Sequence, residues 1–167
     1  MAKSKSSKSK PQSTLTKADL VGAGCPEVLG RGILLHPRTF STGSYGFSSN
    51  AKIVGEVNGQ PVTYQVGVNV IGYHTNPTNA LAKGKTPALS KDEFEAKTVG
   101  LLVAFDDCVT ELYKHQGKPS KQGSINFFVN GKANIVIDGK TLQCSVNMNV
   151  TACGSANLPD AIEVQAE

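Results

Sequence analysis

Residues 123–140 read GSINFFVNGKANIVIDGK, and how this stretch turns decides the fold. It holds two dipeptides, Asn130-Gly131 and Asp138-Gly139, of the kind that close tight hairpins. Beyond the second, Leu142, Cys144, Val146, Met148 and Val150 alternate with Gln143, Ser145, Asn147 and Asn149. Period-two patterning of this kind makes a strand with one face on a core and the other wet. With both dipeptides read as turns, the segment is a three-stranded meander. A two-residue loop at Asp138-Gly139 pairs Ile137 with Lys140, Ile135 with Leu142 and Ala133 with Cys144. At Asn130-Gly131 there are two solutions. A two-residue loop turns Phe128 to the core, while a loop one residue longer, with a bulge, turns Phe127 there. The match of Phe127 to Phe47 favours the bulged form, which leaves Phe128 outward.

The same pattern occurs earlier in the chain. GSYGFSSNAK (43–52) matches GSINFFVNGK (123–132), and TYQVGVNVI (63–71) alternates as TLQCSVNMNV (141–150) does. Asn58-Gly59 is the matching turn. Read as a four-residue loop, it pairs Val57 with Val62, Gly55 with Tyr64 and Ile53 with Val66, keeping the same core side. Aligning residues 43–71 with 123–149, with Pro61 and Val62 as an insertion, gives 27 pairs of which ten are identical. Chance gives about two, so the unit reads as an internal duplication.

Between the copies lies SKDEFEAKTVGLLVAFDDCVTELYKHQGKP (90–119). Ser90 and Glu93 form a capping box. Phe94, Leu101, Leu102, Phe105, Val109 and Leu112 fall at helical spacing, and Gly117 and Pro119 supply a stop. The spacing predicts one amphipathic helix over about 91–116. The expected fold class is α+β: internally duplicated antiparallel β-meanders, each of about three to four strands, separated by one long helix. Residues 1–14 read as a disordered basic arm, 15–117 as the first repeat plus helix, and 118–167 as the second repeat with a short acidic tail. Both repeats pack as one pseudo-symmetric domain.

Charge is unevenly laid out. The net charge of +4 resides in Lys3, Lys5, Lys8 and Lys10, since residues 11–167 hold 13 bases against 13 acids. Within that remainder, residues 90–116 are acidic, with six acids against three bases. Residues 11–89 and 117–157 hold ten bases against four acids. Segments packed on opposite sides would give one basic and one acidic surface. There is no apolar run long enough to span a membrane and no secretory signal, so no membrane partner is expected and an intracellular setting, cytoplasmic or nucleoid, fits. The four cysteines are far apart and lack paired spacing, so no metal and no cofactor is expected. His36, His74 and His115 lie in unrelated contexts, and no phosphate loop or nucleophile elbow occurs, so the chain does not read as an enzyme.

Several residues then point to a polymer ligand. Lys52 and Lys132, Gln65 and Gln143, and Asn69 and Asn147 are polar pairs that recur where sequence is usually free to drift. Lysines 52 and 132, with Arg38, Lys118, Lys121 and Lys140 near strand ends, suit phosphates. The amides suit sugars or base edges, and Tyr45, Phe47 or Phe128 suit stacking on unpaired bases. For Tyr45 and Phe47 the competing assignment is plain core. The basic arm adds attraction that salt screens.

Two meanders separated by an amphipathic helix, with NGKANIVI (130–137) similar in character to a lysine-bearing strand motif, resemble the Whirly/PC4-type single-stranded-DNA-binding architecture over roughly residues 38–150. The resemblance implies that the sheets hold the strand and that helices mediate a homo-oligomer. The function expected is single-stranded nucleic-acid binding, DNA favoured, through a polar and basic sheet face. The alternative is a self-assembling structural protein, such as a small viral coat or fibre subunit in a virion, with a nucleic-acid-binding arm.

Overall fold

The computed structural model describes residues 15–78, 83–115, 117–119 and 123–160. The basic arm, Lys121 and the end of the acidic tail lie outside the described residues. In chain order the elements are α1 (Lys17–Ala23), β1 (Leu34–Thr39), β2 (Tyr45–Val57), β3 (Gln60–Gly72), α2 (Lys91–Lys97), β4 (Val103–Ala104), α3 (Phe105–Cys108), β5 (Val109–Lys114), β6 (Lys118–Pro119), β7 (Ile125–Ile137) and β8 (Lys140–Ala152). All strands join one antiparallel sheet in the order β4-β1-β2-β3-β8-β7-β5, with β6 also paired to β7. The molecule is therefore mostly antiparallel β, with few helices. Among the described residues no helix is long and apolar enough to cross a membrane.

One face of the sheet is buried. Phe47, Tyr64, Val66, Val68 and Val70 of the first hairpin line it with Phe127, Val129, Val146, Met148 and Val150 of the second. Leu20 of α1, Phe94 of α2, Phe105 and Cys108 of α3, and the loop residues Val28, Ile33 and Leu89 close over them. Phe94 is the main clamp, its ring 5.5 Å from Phe47 edge-on and 4.9 Å from Tyr45. Burying a side chain of that size contributes about 1.5–3 kcal/mol.

The turn at Asp138-Gly139 forms as its sequence requires, with φ of +50° and +81°, and pairs Ile137 with Lys140, Ile135 with Leu142 and Ala133 with Cys144. Asn130-Gly131 does not turn. β7 runs straight through it, with Asn130 opposite Asn147 and Gly131 opposite Val146. Phe127 is buried and Phe128 exposed because simple alternation continues, not because of a bulged loop. The glycine serves close approach instead: a Cβ there would lie 2.1 Å from the Glu111 carbonyl of β5.

The first hairpin corrects a second expectation. Asn58 and Gly59 have φ of +52° and +78° and form a two-residue loop, not a four-residue one. Val57 pairs with Gln60, Gly55 with Val62, Ile53 with Tyr64 and Ala51 with Val66. Pro61 fits because it lies opposite Glu56, before β8 begins to pair with β3 at Tyr64. Its missing N–H points to a side where β8 has no paired residue.

With equal loops, the two hairpins correspond at a constant spacing of 80 residues and no insertion. Tyr45 answers to Ile125, Val57 to Ile137, Gln60 to Lys140 and Gly72 to Ala152. Arg38 opposite Gly46 answers to Lys118 opposite Asn126. Left-handed backbone recurs at Gly43 and Gly123 and at His74 and Gly154. The Tyr73 N–H donates to the Gln143 carbonyl at 2.8 Å, and the Cys153 N–H to the Thr63 carbonyl at 2.9 Å. β3 and β8 pair about the Val68–Met148 contact, whose members are themselves counterparts, so a local two-fold axis passes there.

A buried hydroxyl plugs each half. The Tyr45 N–H donates to Thr75 Oγ1 at 3.1 Å, and that hydroxyl donates to the Gly72 carbonyl at 2.8 Å. In the other half the Ile125 N–H donates to Ser155 Oγ at 2.8 Å, and Ser155 donates to the Ala152 carbonyl at 2.7 Å. Thr75→Val or Ser155→Ala strands one buried N–H, and each is expected to cost about 1–3 kcal/mol of stability in urea unfolding.

The single long helix over 91–116 is overturned. The Ser90–Glu93 capping box is present, but α2 ends at Lys97 after seven residues. Thr98 Oγ1 then donates to the Phe94 carbonyl, and Gly100 reverses the chain at φ +72°. Val103-Ala104 pairs with Leu34-Leu35, α3 makes one turn, and Val109 onward pairs with β7. β-Branched Val99, Val103, Val109 and Thr110 weaken helix here, and two unfilled sheet edges offer the backbone better partners.

Candidate nucleic-acid interface

Among the described residues no element packs on the sheet face opposite the core, hereafter the open face, and cross-strand pairing sorts its side chains into rows. The first row runs Lys52, Gln65, Thr151, Asn126, Lys118. The second is Asn50, Gly67, Asn149, Phe128. The third is His36, Ser48, Asn69, Asn147, Asn130, Tyr113. The fourth is Arg38, Gly46, Ile71, Ser145, Lys132, Glu111. Six residues along a strand separate the first row from the fourth, about 20 Å. The result is a floor of asparagine amides bounded by two rows that carry cations.

Lys52, Arg38 and Lys118 are exposed and make no ion pair among the described residues. The Arg38 guanidinium lies 5.1 Å from the Phe40 ring centroid, which holds it in place by a cation–π contact. Lys132 is 4.0 Å from Glu111, an exposed pair of little strength. Phe128 is 43% exposed, with the His115 ring 6.1 Å away and Tyr113, itself 48% exposed, on the next strand. Asn130 Nδ2 is 3.4 Å from His115 Nε2. A hydrogen bond to Glu111 holds the Tyr113 hydroxyl proton on, above its ordinary range, so Tyr113 presents a neutral ring beside Phe128. The acids Asp92 and Glu95 of α2 and Asp106 and Asp107 of α3 are carried by the helices packed on the covered face, alongside Lys91 and Lys97, while the open face carries Lys52, Lys132, Arg38 and Lys118 with Glu56 and Glu111.

The predicted residues divide. Lys52, Lys132, Gln65, Asn69, Asn147, Arg38, Lys118 and Phe128 share the open face. Gln143 is also there, opposite Asn134, but one row beyond the fourth. Gln65 and Gln143, and Asn69 and Asn147, are not counterparts: Asn69 and Asn147 face each other across the β3–β8 seam. The counterparts at the 80-residue spacing are Asn69 with Asn149 and Asn50 with Asn130. Tyr45 and Phe47 are core, with the Tyr45 hydroxyl donating to the Leu89 carbonyl. Lys140 turns to the covered side and pairs with Glu93 at 3.0 Å. Lys121 and the arm lysines lie outside the described residues. Asn50, Asn126, Asn130, His36 and Tyr113 were not anticipated, and Asn149 was read as wet but not as a site residue; alternation carried through Asn130-Gly131 would have placed Asn130 on this face beside Asn126.

Among the described residues no group of His, Cys, Asp and Glu could hold a metal ion. Two thiols are deep: burial pushes Cys108 up to about 11 and Cys144 up to about 12, while Cys153 is exposed. Iodoacetamide at pH 8 is expected to modify Cys153 rapidly and to reach Cys108 and Cys144 only after denaturation, read by mass spectrometry. Comparison with protein-family models, curated proteins and solved structures gives no match.

Proposed function

We propose that the chain binds single-stranded nucleic acid, DNA ahead of RNA, across the open face of a duplicated β-meander sheet. The observation that carries this reading is the pattern of that face: cations at matched positions, Lys52 with Lys132 and Arg38 with Lys118, around an amide floor on which none of the described elements packs. Sequence-independent single-strand binding needs cations for the backbone and rings for bases, and Phe128 with Tyr113 supplies the rings. A polar floor of asparagine and serine hydrogen-bonds sugars and base edges. Lys3, Lys5, Lys8 and Lys10 add attraction from the arm. An intracellular location, cytoplasmic or nucleoid, suits this activity. The test is a fluorescence-anisotropy titration with single- and double-stranded oligonucleotides at two salt concentrations. Tight, salt-sensitive binding to single strands supports the reading, and no binding to either at low salt removes it.

A self-assembling structural role is the second reading. Val99, Leu102 and Leu34 are 83%, 50% and 45% exposed at or beside the β1–β4 edge, an apolar strip suited to another copy. The helix-mediated oligomer implied by the Whirly/PC4-type resemblance would here pass to sheet edges, because α2 is only seven residues long. Size-exclusion chromatography with and without oligonucleotide separates the two: large particles regardless of nucleic acid favour assembly, and small oligomers that shift on single strands favour binding.

A further inference from the structure

We infer that the open face holds two strand segments at once, antiparallel to each other, and so speeds the annealing of complementary strands. The inference rests on the nucleic-acid reading above and adds to it an activity and a stoichiometry. It comes from the local two-fold axis at the Val68–Met148 pair. On the first row the cations are Lys52 at one end and Lys118 at the other. The axis carries this row onto the fourth, taking Lys52 to Lys132 and Lys118 to Arg38. A backbone lying on the first row from Lys52 towards Lys118 has its equivalent on the fourth from Lys132 towards Arg38, in the opposite direction. The sheet thus offers two backbone tracks of opposed polarity, each about 19 Å long.

The gap decides between one strand and two. The tracks are about 20 Å apart with two rows between, so a short strand lying along one track leaves the cations of the other free, while a longer one can cross to both. Bases from each track reach inward over the two middle rows, Asn149 and Asn50 on one side of the midline at Val68–Met148 and Asn69 and Asn147 on the other. Annealing is slow because two polyanions repel, and cations that hold both strands antiparallel remove that barrier. The two tracks differ in strength. The first carries Gln65, Thr151 and Asn126 where the fourth has Ser145, Ile71 and Gly46, and Glu111 sits beside Lys132. The first strand to bind therefore takes the first row.

The test uses the full chain with six-nucleotide DNA strands in native mass spectrometry, and with complementary 20-nucleotide strands in a fluorescence-transfer annealing assay. The expected result is two short strands per chain, the second weaker, and annealing faster than the protein-free rate by roughly tenfold or more. The double substitution R38A/K132A, which neutralises the fourth row, is expected to leave one short strand bound and to abolish the acceleration. One strand per chain in the unaltered protein, or annealing unaffected by R38A/K132A, would overturn the inference while leaving single-strand binding intact. Absence of any strand binding would take both away.

Discussion

Changing Lys52 and Lys132 together to alanine is expected to weaken binding of a single-stranded oligonucleotide roughly tenfold or more at moderate salt, and to flatten the plot of log affinity against log salt by about 1.4. Both lysines stand on the open face at counterpart positions, in rows ending in a second cation. Each phosphate contact on a single strand releases about 0.7 of a counterion, so removing two lowers the slope by twice that. Lys52 has no ion pair among the described residues, whereas Lys132 shares its charge with Glu111 at 4.0 Å, so K52A alone should cost more than K132A alone. K140A is the control. Its charge is engaged with Glu93 on the covered side, and affinity should hold within twofold or so of the unaltered chain. Unchanged affinity in the Lys52 and Lys132 double variant, with the arm also deleted, would end the case for this face.

Gly131→Ala is expected to destabilise the fold by about 3 kcal/mol, at the upper end of the cost of overpacking. The added Cβ would meet the Glu111 carbonyl oxygen at 2.1 Å and Leu112 Cδ2 at 2.9 Å. The first contact is backbone, so it is relieved only by moving β5 away from β7 and losing hydrogen bonds. Gly139→Ala provides the contrast: its Cβ meets nothing within 4 Å, but φ is +81°, and the strain of that left-handed position costs about 1 kcal/mol. Urea denaturation of both variants checks the order. A loss at Gly131 no larger than at Gly139 would mean that the Asn130-Gly131 stretch is not the straight strand described here.

That pair of glycines also marks how far the sequence could be read. Both dipeptides carry the same chemistry, yet one turns and the other is extended. The match of Phe127 to Phe47 made Phe127 the core residue and Phe128 the exposed one although a two-residue loop would have reversed them, and the straight strand gives the same facing by parity alone. The length of the Asn58-Gly59 loop escaped because maximising identities invited an insertion after it. Thr75 and Ser155, whose hydroxyls do the same work in both halves, fell outside the matched window and differ in residue type. The break in the predicted long helix escaped because Phe94 and Phe105 are both buried, but from two separate helices on either side of a reversal at Gly100.

From sequence alone, then, came the elements whose causes are local: the Asp138-Gly139 hairpin and its register, the buried and wet faces of the long strands, and the capped start of α2. These follow from φ preferences, period-two alternation and a hydroxyl–carboxylate exchange three residues apart, all within a few positions. The tertiary structure decided the rest. Whether β7 turned at Asn130 depended on β8 and β5 offering hydrogen bonds along its whole length, and whether residues 98–114 stayed helical depended on sheet edges left open far away in sequence. The candidate site belongs to this second class. Its rows exist only because β3 pairs with β8, which sets two remote halves of the chain side by side and brings Lys52 and Lys118 into one row across five strands.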